Sequence, residues 1–263
     1  MAPDPRPEER RARRNPPERR GASTTGPSER RSRPAPVSVI IPTYNEAENV
    51  ETAVDQCRTA LASYPAEVIV VDDDSPDLTW RLARTAYGDA DDVRVVRRIE
   101  QHGLASAVSR GFEEADNELC VVMDADLQHP PEKLPALVDA FDENVDVVVG
   151  SRYLDGGGIE NWSPFRRFVS EGARLLAKLL LPEARSVSDP LSGFFAVRRR
   201  TVDGVELAPT GYKILLEVLA KADYDGVTEV PYVFSERRRG ESKLTTDEYV
   251  NFLRHIVSLW FQS

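Results

Sequence analysis

A run of apolar residues, Cys120-Val121-Val122-Met123, feeds straight into Asp124-Ala125-Asp126-Leu127-Gln128-His129-Pro130. An uninterrupted apolar run of this kind reads as a strand buried on both faces, as in a parallel sheet. Open α/β sheets bind their ligands at the carboxyl ends of such strands, where this chain places two carboxylates at i and i+2. Side-chain direction repeats every two residues along an extended chain, so Asp124, Asp126 and Gln128 form one row. Two carboxylates and an amide carbonyl are hard-oxygen donors suited to Mg²⁺ or Mn²⁺, with a substrate diphosphate completing the shell. A bare Asp-x-Asp also fits a solvated turn after a strand. The surroundings decide between them.

Those surroundings alternate strand-like and helix-like stretches. Val37–Pro42 reads as a first strand, followed by a helical pattern over Ala47–Ser63. Glu67–Val71 is a second strand, and Leu78–Tyr87 a helix that Ser75 or Asp77 is placed to cap. Val93–Val96, a helix over Gly103–Ala115, the Cys120–Met123 strand, a helix over Glu132–Phe141 and a strand over Val145–Gly150 continue the series. The alternation predicts an α/β fold: a Rossmann-like, mostly parallel, twisted sheet with right-handed connections.

A second acidic cluster, Asp72-Asp73-Asp74-Ser75-Pro76-Asp77, follows the second strand. Carboxylates there can simply cap a helix, but three consecutive Asp exceed one cap and repel one another unless a ligand or cation relieves them. There is no Gly-x-Gly-x-x-Gly and no Gly-Lys-Ser/Thr loop, so the dinucleotide and phosphate-loop readings lose their support. Two acidic clusters at strand ends suit a nucleotide sugar: one group for base and ribose, another for the metal on the diphosphate.

Composition divides the chain in two. Residues 1–36 hold eight of the nineteen prolines and ten Arg against five acids, with no large aliphatic residue beyond Met1. Such a segment cannot offset chain entropy by burial and is expected to be a disordered Arg/Pro-rich tail. Its Arg, interleaved with Glu and Pro, read as solvated, though a basic arm can also touch nucleic acid or anionic lipid. Residues 37–263 suit one large domain. Only five of the 34 basic residues are Lys, and acids dominate the folded part. That balance argues against nucleic acid as the main partner and resembles proteins from high-salt cytoplasm, where screening makes a negative surface tolerable. Cys57 and Cys120 lack metal-type spacing and read as buried reduced thiols, consistent with a cytosolic compartment. No signal peptide and no apolar run near 18 residues is present, so no bilayer span is expected.

The motif series Pro42-Thr43-Tyr44-Asn45-Glu46, Val71–Asp77, Gly103-Leu104-Ala105, Asp124–Pro130 and Gly150-Ser151-Arg152-Tyr153 resembles the family 2, A-type (GT-A, inverting) glycosyltransferases. Ser188–Phe194, Gly211-Tyr212-Lys213 and Val230–Leu244, with its Arg237-Arg238-Arg239-Gly240-Glu241-Ser242-Lys243 run, narrow the resemblance to dolichyl-phosphate mannose synthases. It covers residues 37–263 in motif order. One departure is Asp74, where many relatives have Gly.

The resemblance implies transfer of a hexose from a nucleotide diphosphate sugar to dolichyl or polyprenyl phosphate with inversion, the lipid-linked sugar serving protein glycosylation. GDP-mannose is the first choice of donor, and a glucosyl or other hexosyl group from a UDP-sugar the alternative. It also implies roles. Asp124, Asp126 and Gln128 bind Mg²⁺ or Mn²⁺, and Pro42, Tyr44, Glu46, Asp72 and Asp73 line the nucleotide pocket. Arg237 and Lys243 neutralise the donor diphosphate from a loop that Gly240 allows to close. Arg152, Arg166 and Ser170 hold the acceptor phosphate. Asp189 orders the loop beside the sugar, with a general-base role as the lesser option, and His129 supports the metal motif from behind.

Trp162–Leu181 and Thr246–Gln262 read as amphipathic helices. The first sets Phe165, Phe168, Val169, Leu175, Leu176, Leu179 and Leu180 against Arg166, Arg167, Arg174 and Lys178. Pattern alone fits a helix covering the sheet; the resemblance makes it an interface helix at a bilayer. The expected location is cytoplasmic and peripheral on the inner face of the membrane, with a membrane-anchoring partner an option. Two other classes compete: a nucleotidyltransferase on sugar phosphates, which has no use for the apolar-basic helix, and a lipid- or nucleic-acid-binding module, which leaves both Asp clusters unexplained.

Overall fold

The computed structural model describes residues 34–100, 103–207 and 213–235. The N-terminal arm up to residue 33, Arg237, Lys243 and the Thr246–Gln262 helix expected from sequence lie outside the described residues.

Strand β1 (Val37–Thr43) is buried along its whole length, as its apolar run requires. It pairs in parallel with β2 (Ala66–Asp72) on one side and β4 (Leu119–Val122) on the other, and β3 (Val93–Arg97) lies outside β2. The period of two splits each strand between two cores. Val39, Ile41, Val68, Val70 and Val121 face helices α1 (Val50–Ala60), α2 (Thr79–Tyr87) and α4 (Leu134–Asp139). Ile40, Ile69, Val71, Cys120 and Val122 face α3 (Leu104–Glu114) and α7 (Ile214–Lys221). Cys57 and Cys120 are free and buried.

The expected mostly parallel sheet is present, with one departure in its second half. The order is β3-β2-β1-β4-β7-β5-β8. Strand β7 (Phe195–Arg198) runs antiparallel between β4 and β5 (Val147–Ser151), and β8 (Val227–Pro231) closes the edge parallel to β5. Four residues of β7 followed by an Arg run left no alternating pattern to read. A two-stranded pair of β6 (Gly158–Ile159) and β9 (Val233–Phe234) stands apart.

Two predicted helices are shorter than their periodicity. The loop after β1 turns at Glu46, whose carbonyl accepts from the amides of Asn49 and Val50, so α1 starts later. Pro131–Lys133 is a 3₁₀ turn ahead of α4. The long helix α5 (Pro164–Leu180) has Ser163 as its cap, accepting from Arg166 N at 3.2 Å, and Pro164 in its first turn. Its Ala177 is buried with Leu181, Ala184, Leu191 and Leu216 of α7. Yet Phe168, Leu175 and Leu179 are 76, 70 and 66% exposed. Spaced by seven and four residues, they form one outward stripe on a helix that already packs by another face. A four-residue helix α6 (Arg199–Val202) follows β7.

Gly111 marks the tightest helix–sheet approach: a Cβ there would run into the Ile40 side chain of β1. Gly111→Ala should therefore destabilise by overpacking, by about 2 kcal/mol or about 4–8 °C in Tm. Thermal melts check this, and activity below the transition should be retained.

Candidate active site

The loops after β1 and β2 are knitted into one piece. Asp72 is fully buried; its carboxylate accepts from Thr43 Oγ1 at 2.8 Å, Ser75 N at 2.9 Å and Ser75 Oγ at 2.6 Å. Three successive amides of the first loop are then received by the second. Asn45 N donates to Ser75 Oγ, Glu46 N to Thr79 Oγ1 and Ala47 N to Asp77 Oδ2, each at 3.0 Å. The second Asp77 oxygen accepts from Thr79 N and Oγ1, but the helix's cap position falls on Leu78, with no side-chain cap bond, rather than on Ser75 or Asp77 as expected. Asp73 pairs with Arg98 at 3.2 Å and accepts from Gly103 N at 2.6 Å. Asp74 pairs with Arg97, whose guanidinium stacks 4.0 Å above the Trp80 ring.

The repulsion expected among the three Asp is thus relieved within the chain: each carboxylate has its own donors. Of the residues assigned to a nucleotide pocket, Asp72 is turned inward to hold the loops, Pro42 is buried in β1, and Tyr44 stands 48% exposed. Left-handed backbone recurs at these strand ends, with φ of 55° at Asn45, 52° at Asp74, 64° at Leu78 and 60° at Leu127. Such conformations cost energy and collect where function needs them.

At the end of β4 the Asp124 side chain is 41% exposed, while Asp126 is buried and its Oδ1 accepts from Gln128 N at 3.1 Å. Gln128 Nε2 donates to Ser235 O at 3.1 Å, and Ser235 N donates back to Gln128 O at 3.3 Å. With its nitrogen so engaged, the amide keeps Oε1 as its acceptor end. Among the described residues no three His, Cys, Asp or Glu side chains converge as a ligand cluster. A cation here would rely on two carboxylates, one amide oxygen and the substrate's own oxygens, a donor set that fits Mg²⁺ or Mn²⁺.

Beyond Val122 the chain turns at residues 125–127, with Leu127 at a φ of 60°, so the extended alternation expected to align Asp124, Asp126 and Gln128 is not kept; His129 is buried beside Asp124. Its Nδ1 accepts from Asp124 N at 3.1 Å, which puts the imidazole proton on Nε2. The ring stacks on Phe194 at 5.2 Å and meets the edges of Tyr232 and Phe234, each at 5.8 Å. Burial lowers its pKa to about 4, with Asp126 opposing and Arg152 and Lys213 assisting.

The same aromatic cluster reaches the end of β5. Phe234 meets Trp162 at 5.7 Å, and the Arg152 guanidinium lies 5.6 Å from Phe234 and 5.8 Å from Trp162. Arg152 is gripped by fully buried Asp189: Nε to Oδ2 at 2.7 Å, Nη2 to Oδ1 at 2.8 Å, and backbone N to Oδ2 at 3.2 Å. Burial works against the charge, and the Asp189 hydrogen bonds and charge more than reverse it, raising the guanidinium pKa. Beside the pair is a cleft of ≈ 270 Å³ lined by Arg152, Tyr153, Ile159, Arg167 and Glu171.

The sequence-assigned phosphate residues converge only in part. Ser170 reaches the cleft through Tyr153, whose hydroxyl lies 3.4 Å from Ser170 Oγ. Arg166 stacks 4.3 Å over Trp162 and is not among the lining residues. Arg167 is, one position on; the Arg166-Arg167 pair was visible in sequence, but which of the two faces the cleft depends on the rotation of α5. Arg237 and Lys243 lie outside the described residues.

Because buried His129 stays neutral while an unfolded histidine titrates near its model value of 6.5, the unfolded state binds the extra proton between pH 6.5 and 4. Stability should fall as pH drops through that window, by at most about 3 kcal/mol. Denaturant titrations at a series of pH values should show the slope flattened in His129→Gln.

A model of the glycosyl transferase family 2 matches residues 38–205. The chain is 50% identical over 223 residues to the dolichol-phosphate mannosyltransferase of Pyrococcus furiosus, an alignment covering 85% of this chain and 63% of that one. The chain thus spans somewhat under two thirds of that relative's length. It is 34% identical to the dolichol-phosphate mannosyltransferase of Saccharomyces cerevisiae, over 85% of this chain and 86% of that one. Among solved structures, the glucosyl-3-phosphoglycerate synthase of Mycobacterium tuberculosis with Mn²⁺, UDP-glucose and phosphoglyceric acid superposes with a TM-score of 0.66 at 26% identity, covering 87% of this chain and 79% of that one. Another structure of that protein holds Mg²⁺ and UDP. With its GT-A sheet, its acidic strand ends and a match over more than half its length, the chain belongs to glycosyl transferase family 2.

Proposed function

We propose that the chain transfers a mannosyl group from GDP-mannose to a dolichyl-type phosphate, with inversion, at a membrane surface. The single observation that carries this reading is the placement of Arg152. It lines a cleft with Arg167 and Glu171 and stands one aromatic cluster away from the Asp124–Gln128 turn, on the domain whose α5 exposes an apolar stripe. A lipid phosphate and a nucleotide diphosphate could meet there. The names of the relatives favour mannose and a polyprenyl phosphate.

In this reading the acceptor phosphate oxygen attacks the anomeric carbon in line, and the bond to the GDP β-phosphate oxygen breaks with its electron pair. A phosphate monoester has a second pKa of about 6 and is anionic near neutral pH, so no residue need take a proton. Asp189 then serves by holding Arg152, because both its oxygens are engaged there; the general-base option loses its support. A guanidinium has two bidentate edges. Asp189 takes the Nε–Nη2 edge, which leaves the Nη1–Nη2 edge to receive phosphate. Arg166, Ser170 and, by its place in the cleft, Arg167 complete the acceptor site. The loops carrying Pro42, Tyr44, Glu46, Asp72 and Asp73 hold the nucleotide, and Arg237 and Lys243 the diphosphate. Asp124, Asp126 and Gln128 would hold Mg²⁺ or Mn²⁺, which when bound supplies charge neutralisation for the departing diphosphate.

No described helix is long and apolar enough to cross a membrane. The α5 stripe of Phe168, Leu175 and Leu179, flanked by Arg167, Arg174 and Lys178, is the form of an interfacial helix. We place the protein on the inner, cytoplasmic face, where its product would feed protein glycosylation. A second reading, hexosyl transfer from a UDP-sugar to the same lipid, draws on the UDP-glucose of the solved neighbour.

Radiolabelled GDP-mannose and UDP-glucose offered with polyprenyl phosphate in Mg²⁺ or Mn²⁺ separate the two readings. Label should enter the lipid fraction from GDP-mannose; entry from UDP-glucose alone would reverse the assignment. Asp126→Asn keeps an oxygen for Gln128 N and removes the charge, so kcat should fall on the order of 10²–10³-fold with Tm nearly unchanged. Near-normal turnover would sink the metal assignment. The double variant Leu175→Ser, Leu179→Ser should lose flotation with lipid vesicles yet keep turnover on a short-chain acceptor in detergent.

A further inference from the structure

Asp189 can grip Arg152 only if its own backbone is held, and two side chains hold it. Glu229 lies on the edge strand β8, opposite Val149 of β5. One of its carboxylate oxygens accepts from Ser188 N at 2.8 Å and the other from Asp189 N at 3.2 Å. From the opposite side Arg174 of α5 donates Nη1 to Ser188 O at 3.2 Å. The carbonyl of Asp189 then accepts from Ser192 N at 3.2 Å, closing a turn with Pro190 at its second position. The chain of bonds runs from Glu229 through two amides to Asp189, and from Asp189 through two more bonds to the cleft-lining guanidinium.

We infer that Glu229 is a positioning residue of the acceptor site: it fixes the Ser188–Asp189 backbone, and thereby the direction in which Arg152 meets the lipid phosphate. This rests on the reading of the Arg152 cleft as that site. A carboxylate suits the task because the two amides are received here by separate oxygens, Oε2 and Oε1, and a carboxylate supplies both with charge-assisted bonds. A carboxamide at the same place has one oxygen and an NH₂ that cannot accept. It would leave one amide of the pair without its acceptor.

Michaelis constants for GDP-mannose and for polyprenyl phosphate, measured in the full chain, test the inference in Glu229→Gln, Arg152→Lys and the double variant, with a thermal melt of each. Glu229→Gln should raise the acceptor constant about fivefold and leave the donor constant within about twofold. Arg152→Lys should raise the acceptor constant tenfold or more, since lysine cannot reproduce a bidentate fork. If Glu229 acts through Arg152, the double variant should match Arg152→Lys alone. A lowered Tm with an unchanged acceptor constant in Glu229→Gln, or effects that multiply in the double variant, would overturn the inference while leaving the cleft's role intact. An acceptor constant unmoved by Arg152→Lys would instead bring down the cleft reading and this inference with it. Should Glu229→Gln fail to fold, Glu229→Asp carries the same test, with the same split between acceptor and donor.

Discussion

The buried Arg152–Asp189 pair is the contact on which the functional half of the molecule depends. A guanidinium and a carboxylate removed from water pay a large desolvation cost, recovered only when geometry is good and the remaining lone pairs are used. Here the pair is bidentate, Asp189 also accepts the Arg152 amide, and aromatic faces surround the cation. Removing one partner would strand the other. The arrangement joins the end of β5 to the loop ahead of β7, two segments 37 residues apart in sequence, and so closes the side of the site that faces α5.

The loops after β1 and β2 are built on a different plan. The loop after β2 has a buried pair of its own, Asp73–Arg98, but what joins it to the loop after β1 is hydroxyls and Asp side chains that receive consecutive backbone amides. Short bonds to the Asp72 and Asp77 carboxylates and to hydroxyls hold the shape, and the left-handed residues at Asn45, Asp74 and Leu78 show how far the backbone has been bent to allow it. Between the two plans lies the His129, Phe194, Tyr232 and Phe234 cluster, apolar enough to keep the imidazole neutral and wide enough to touch both. Stiff aromatic packing here ties the end of β4, at Asp124, to the Arg152 guanidinium.

Much of the first half was legible because its signals are local. Apolar runs such as Val37–Ile41 and Cys120–Met123 are buried on both faces, and the acidic motifs fall at their carboxyl ends. Asp189 and His129, both singled out in sequence, are buried with defined partners: Asp189 holds Arg152 and His129 accepts from Asp124 N. What escaped depends on long-range partners. Strand β7 has four residues, and its place between β4 and β5 follows from pairing that no periodicity encodes. Arg166 and Arg167 differ by one position, and only the rotation of α5 against Leu191 and Leu216 selects Arg167 for the cleft. Glu229 reads in sequence as one acid on an edge strand; its two amide partners lie 41 and 40 residues away. The inward turn of Asp72 was hidden for the same reason, since Thr43 and Ser75 meet it only once β1 and β2 are paired.

The antiparallel strand also dictates an order of assembly. Strands β1 to β4 pair among themselves, so that sheet can form as soon as residue 122 has been made. Strand β5 has no native partner at hand: its neighbours in the finished sheet are β7 and β8, both later in the chain. During synthesis the Val147–Val149 run must therefore wait, unpaired, for residues 195–198 and then 227–231. An apolar strand edge is left unpaired through this interval. Pairing among β1 to β4 can therefore precede the placement of the strand that presents Arg152.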